Sequence, residues 1–137
     1  MHFEYEITGG DFTGAGATSS AVKKILKQLN VDPVIVKRTV VALYEAEVNI
    51  VAHAYSGKIY VDLDNDAISI RLVDEGPGIP DIDKAMKPGY STASKSVREM
   101  GFGAGMGLAN IKNNTDRLTI TSKVGEGTTV EIYNKLQ

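Results

Sequence analysis

Four segments of this chain alternate apolar and polar residues, and each is apolar on one side only. Ile59, Val61 and Leu63 share a face within KIYVDLD, as do Ile68, Ile70 and Leu72 within AISIRLVD. Leu118 with Ile120, and Val130 with Ile132, repeat the pattern near the C-terminus. The opposite faces carry Lys58, Tyr60, Asp62, Ser69, Arg71, Thr119, Thr121 and Glu131. Period-two alternation marks strands buried on one face. A sheet with a single apolar face is covered by helices on that face alone. The expected fold class is therefore α/β: a two-layer sandwich of a mixed, mostly antiparallel sheet with helices on one side. FEYEI adds an N-terminal strand, and Asn65-Asp66 and GEG are the turns of two hairpins.

The covering helices are legible too. Ala21, Val22, Ile25, Leu26 and Leu29 recur at helical spacing behind Thr18, Ser19 or Ser20 as caps. Asp32 followed by Pro33 opens a second helix, running to about Tyr55. A short helix is expected at Asp81 to Met86, and LANIKNNT is helical. At 137 residues the chain is read as a single domain spanning 1–137. A net charge of −2 argues against nucleic acid or an anionic membrane as partner. The absence of cysteine removes disulfides, thiolate nucleophiles and cysteine zinc sites together. No apolar run approaches a membrane span and MHFEYEITGG lacks the features of a signal peptide, so a cytoplasmic protein is expected.

The second helix is apolar over most of its circumference, yet Glu45, Asn49 and His53 stack along it at i, i+4 and i+8. Such a stripe is either a solvated face or a line of groups aimed at an ion, a cavity or water. A carboxylate one turn from a carboxamide can share a hard cation such as Mg²⁺ with a polarised water. His53 alone is more often a structural hydrogen-bonder than a ligand.

Two glycine-rich segments follow. LVDEGPGIP places Asp74 at the end of an apolar strand, ahead of Gly76 and Gly78. This is a simple turn, or a carboxylate aimed into a cleft where glycines admit a flat ring; a carboxylate would accept from the adenine amino group. GFGAGMGLANIK sets Gly101, Gly103, Gly105 and Gly107 before a helix. That pattern is a hinge, or a phosphate cradle of free amides at a helix start. It is neither a P-loop nor a dinucleotide fingerprint. GEGTT alone is a hairpin turn, with Thr128 able to offer a hydroxyl to a base or a water.

Taken in order, EAEVN, DEGPG, GFGAGMG and GEGTT resemble the asparagine box and the three glycine boxes of the GHKL (Bergerat-fold) ATPases. EAEVNIVAHAY and the length most resemble the anti-sigma factor serine kinases, and IPDIDKAMKPGYSTAS is similar to their stressosome relatives. The resemblance implies that Asn49 binds Mg²⁺, that Asp74 recognises the adenine of ATP, and that Gly76 and Gly78 shape its pocket. It implies that Thr128 supports the base through water and that Gly103, Gly105 and Gly107 hold phosphates. A lid over about residues 81–107 would bring Lys95 and Arg98 toward the γ-phosphate. Glu45 would be the catalytic base for a serine hydroxyl. The implied partner is a STAS-type anti-anti-sigma protein, with a sigma factor in an alternative complex, and members often form homodimers. Glu47 departs from the small or neutral residue usual at its place, and GFGAGMG holds one Gly-x repeat more than the family pattern; both leave open a non-catalytic ATP-binding switch that acts by docking.

Overall fold

Register aligns the apolar faces of all the strands on one side of a single sheet. The computed structural model describes residues 1–87 and 107–137. Its strands are β1 (His2–Thr8), β2 (Ser56–Leu63), β3 (Ala67–Glu75), β4 (Arg117–Lys123) and β5 (Gly127–Lys135). They form a five-stranded sheet in the order β1-β2-β3-β5-β4. Each of its neighbouring pairs runs antiparallel, so among the described residues the sheet is wholly antiparallel rather than mixed. Ile59 pairs with Leu72, Ile70 with Ile132 and Ile120 with Val130, which joins the apolar positions into one surface.

Helices α1 (Ala17–Gln28), α2 (Pro33–His53), α3 (Ile82–Ala85) and α4 (Gly107–Asn113) complete the described chain. Leu26 of α1, Leu43 of α2 and Ile111 of α4 are fully buried and belong to one core with Ile59, Ile68, Ile70, Leu72 and Ile132 of the sheet. Asp32 caps α2, its carboxylate accepting the Val34 amide at 2.8 Å behind Pro33.

Helix α1 is capped from elsewhere. Gly16 stands at its N-cap in a left-handed conformation, and no side chain of its own closes the first turn. Glu47 of α2 does so instead. Its Oε2 accepts the Gly16 amide at 3.0 Å and the Thr18 amide at 3.2 Å, while Oε1 accepts the Ser19 amide at 3.0 Å and the Ser19 hydroxyl at 2.6 Å. Thr18, Ser19 and Ser20, the caps expected from sequence, lie inside α1, which begins at Ala17, so none of them occupies the N-cap. Glu47 is 1% exposed and would be costly without those donors. Glu47→Ala strands several of these donors at once. It should lower unfolding free energy by about 3–5 kcal/mol, read by urea titration.

A second buried polar post holds the other end of the helical layer. Asn134 of β5, 0% exposed, accepts the Asp116 amide at 2.8 Å and donates to Thr39 Oγ1 at 3.0 Å and to the Asn114 carbonyl at 3.1 Å. One carboxamide thus fastens α2, the C-terminal end of α4 and the start of β4 to the sheet.

Candidate functional site

Two loops that the sequence separates by about fifty residues meet around Asp74. Asp74 lies near the end of β3, half-buried, and its Oδ1 accepts the Thr128 amide of β5 at 3.0 Å. Burial pushes the Asp74 carboxyl above its ordinary pKa, and the Thr128 amide partly opposes that shift. The turn after Asp74 is stitched to the β4–β5 hairpin: the Gly76 amide donates to the Glu126 carbonyl at 3.1 Å, and Gly125 donates to the Pro77 carbonyl at 2.9 Å.

The glycines in this turn answer to close packing. A Cβ on Gly76 would stand 3.0 Å from Ala54 Cα and 3.4 Å from Asp74 Oδ1. Gly78 has φ +76°, and a Cβ there would fall 2.5 Å from the Lys123 carbonyl oxygen, so only glycine fits.

Ser122 joins this contact without any sequence motif to mark it. Its Oγ accepts the Ile79 amide at 2.7 Å, donates to the Gly127 carbonyl at 3.1 Å and pairs with Thr128 Oγ1 at 2.8 Å. With the Ser122 proton committed to Gly127, the Thr128 hydroxyl donates to Ser122 and keeps only acceptor capacity. A serine on an alternating strand reads as surface, and only the pairing of Ser122 with Thr128 across the hairpin exposes its role.

The polar stripe of α2 meets α4. A Cβ on Gly107 would lie 3.0 Å from Asn49 Oδ1 and 3.2 Å from its Nδ2, so the Asn49 carboxamide rests against the first residue of that helix. Three residues on, Asn110 Nδ2 donates to Glu45 Oε1 at 3.4 Å. Gly107 over Asn49 and Asn110 over Glu45 make the two helices antiparallel, with both stripe residues half-buried in the seam. His53 is half-buried at the end of α2, where burial holds its imidazole pKa below the usual value. Lys95, Arg98, Gly103, Gly105 and most of the expected lid lie outside the described residues.

Among the described residues no cluster of three or more His, Cys, Asp or Glu side chains could hold a metal ion. A single carboxamide with a carboxylate one turn away suits Mg²⁺, which keeps several waters and takes its remaining oxygens from phosphates. On the other side of Glu45 lies an open cavity of about 670 Å³, walled by the Thr13–Ala17 loop, Lys23 of α1, and Val40, Val41 and Tyr44 of α2. Glu45 thus has the α4 seam on one side and this cavity on the other.

A family model described as histidine kinase-like ATPase domain matches residues 13–133, a span that takes in the α2 stripe, the aspartate turn and the β4–β5 hairpin. The chain belongs to this family. Curated relatives of this ATPase domain include the serine/threonine-protein kinase RsbT of Bacillus subtilis, 33% identical over 84% of this chain and 84% of that protein. An anti-sigma F factor of Caldanaerobacter subterraneus subsp. tengcongensis is 38% identical over 66% of this chain, and the match spans 64% of that protein's length. The crystal structure of the RsbU and RsbW domains of Rv1364c from Mycobacterium tuberculosis superimposes with a TM-score of 0.65 over 98% of this chain and 32% of that one, at 16% identity. That likeness bears out the two-layer fold. The family and the named relatives bear out the resemblance read from the four boxes. In this ATPase domain no helix among the described residues is long and apolar enough to cross a membrane.

Proposed function

We propose that this ATPase domain is an ATP- and Mg²⁺-dependent protein serine kinase whose substrate is a STAS-type anti-anti-sigma protein. The observation that carries the reading is the placement of Glu45. It lies one helical turn from Asn49, in the seam with the helix that follows the glycine segment, and it borders an open cavity on its other side. The relatives named as kinase and anti-sigma factor support it.

In this reading Asp74 accepts from the adenine amino group, with its second oxygen anchored through Thr128, and Gly76 and Gly78 keep the turn thin beside the base. Gly107, with Gly103 and Gly105, closes on the phosphates, while Lys95 and Arg98 of the lid reach the γ-phosphate. Asn49 would hold Mg²⁺, which neutralises charge on the phosphate oxygens when bound. Glu45 takes the proton from the acceptor serine as its oxygen bonds to the γ-phosphorus. The bond from that phosphorus to the β–γ bridging oxygen breaks, and ADP leaves with the electron pair. The domain spans 1–137 and acts in the cytoplasm. It forms a homodimer and holds a sigma factor in the alternative complex.

The alternative, a non-catalytic switch, rests on two departures from the family pattern: Glu47, which caps α1, and the extra Gly-x repeat of the glycine segment. Incubation with γ-labelled ATP and a STAS-type anti-anti-sigma protein tests the reading: label on serine is expected. Absence of label, with ATP binding demonstrated by calorimetry, would leave only the docking switch.

Gly107→Ala pushes a methyl into the Asn49 carboxamide. It should weaken ATP·Mg²⁺ binding by about tenfold, roughly 1.4 kcal/mol, in the same calorimetric titration. ATP titrated without Mg²⁺ should show a smaller loss.

A further inference from the structure

We infer that Asn110 is a positioning residue for Glu45, holding one carboxylate oxygen so that the other is presented to the acceptor hydroxyl. The inference rests on the kinase reading above. It starts from the contact of Asn110 Nδ2 with Glu45 Oε1 at 3.4 Å, the hydrogen bond that Glu45 makes among the described residues. The bond is long for a carboxamide and a carboxylate.

The backbone that carries Asn110 is itself held in place. The Asn110 backbone carbonyl accepts Asn114 Nδ2 at 2.8 Å, and the Asn114 backbone carbonyl accepts Asn134 Nδ2 at 3.1 Å. Asn134 also donates to Thr39 Oγ1 at 3.0 Å, and Thr39 lies on α2, the helix that carries Glu45. Side-chain carboxamides bonded to backbone carbonyls and to the Thr39 hydroxyl therefore tie the α4 backbone to β5 and α2, and from that fixed backbone the Asn110 side chain reaches Glu45. Thr39 and Asn134 are both 0% exposed, so this tie is anchored in the core.

A carboxylate has two oxygens and a free side chain samples several rotamers. Fixing Oε1 from α4 removes that freedom and leaves Oε2 as the oxygen that takes the proton. Because Asn110 is one turn beyond Gly107, alignment of the base is tied to the helix whose first residue meets Asn49. A neutral side chain on the partner helix thereby acts on the chemical step without touching the nucleotide.

The test compares Asn110→Ala, Asn110→Gln and Glu45→Gln, singly and with Asn110→Ala and Glu45→Gln combined, in serine phosphorylation at saturating ATP and STAS protein. Asn110→Ala should lower kcat about tenfold, the scale of one hydrogen bond to a charged group. Its ATP dissociation constant, read by calorimetry, should stay within about twofold of wild type. Asn110→Gln keeps the donor and should recover most of the rate. In the Glu45→Gln background, Asn110→Ala should cost nothing further, because the group it serves is gone. A merely structural role predicts instead weaker ATP binding and a loss that multiplies with that of Glu45→Gln; either result overturns the inference. Full turnover in Asn110→Ala with slow turnover in Glu45→Gln overturns it while sparing the kinase reading. A rate unaffected by Glu45→Gln removes the base and the positioning role together, and a wild-type protein that transfers no phosphate removes the kinase reading itself.

Discussion

Glu45→Gln is expected to slow phosphate transfer to serine by roughly 10²- to 10⁴-fold, the range that a positioned general base contributes. The substitution keeps the shape and the Oε1 acceptor that meets Asn110. It removes the capacity to take a proton. A serine hydroxyl is a weak nucleophile at neutral pH, so that capacity bears on the transition state far more than on the bound ground state. ATP binding should be nearly unchanged, since Asp74 and Gly107 are untouched. The measurement is initial rate of labelled serine formation alongside a calorimetric ATP titration. Equal rates for wild type and Glu45→Gln would assign the proton to another group and leave Glu45 as a wall of the cavity.

Asp74→Asn should separate binding from stability. In the kinase reading the Asp74 carboxylate accepts from the adenine amino group, and the carboxamide would turn a donor toward that donor while its oxygen stays on the Thr128 amide. Losing a hydrogen bond to a charged acceptor should weaken ATP binding about 10- to 100-fold. Stability should move the other way. Burial raises the Asp74 pKa in the folded protein, so its favourable contribution is complete below the ordinary carboxyl pKa and is lost as pH rises through the folded value. At neutral pH the ionised, half-buried carboxylate is therefore a cost, and the neutral amide relieves it. Thermal melts of ligand-free protein should show a higher Tm for Asp74→Asn at pH 7, with the gain disappearing in acid. Such a trade of stability for binding is characteristic of functional sites. A lower Tm at neutral pH would mean that the carboxylate is better satisfied than its burial implies.

Both sites share a design in which main-chain amides or a carboxamide steady an acidic group. Thr128 does so for Asp74, and Asn110 for Glu45. The same device appears without catalytic purpose at Glu47, two residues from Glu45 and facing away from it into the first turn of α1. Neighbouring glutamates on one helix thus serve different ends because successive side chains on a helix point about 100° apart.

Much of this protein was written in its residue pattern. Period-two alternation determined which strand faces are buried, and the Asp32-Pro33 pair determined where α2 begins. The i, i+4 spacing of Glu45 and Asn49 set them on one line, and four short boxes in order identified the family. These are local properties, governed by backbone geometry and by one face of one element. What the tertiary structure decided was the partner of each polar group. Glu47 became the cap of a helix about thirty residues away, Ser122 became the support of Thr128, and Asn110 came to rest on Glu45. Hydrogen bonds between elements depend on where the core places those elements in space. A carboxylate or carboxamide carries no mark in the sequence of the donor it will find.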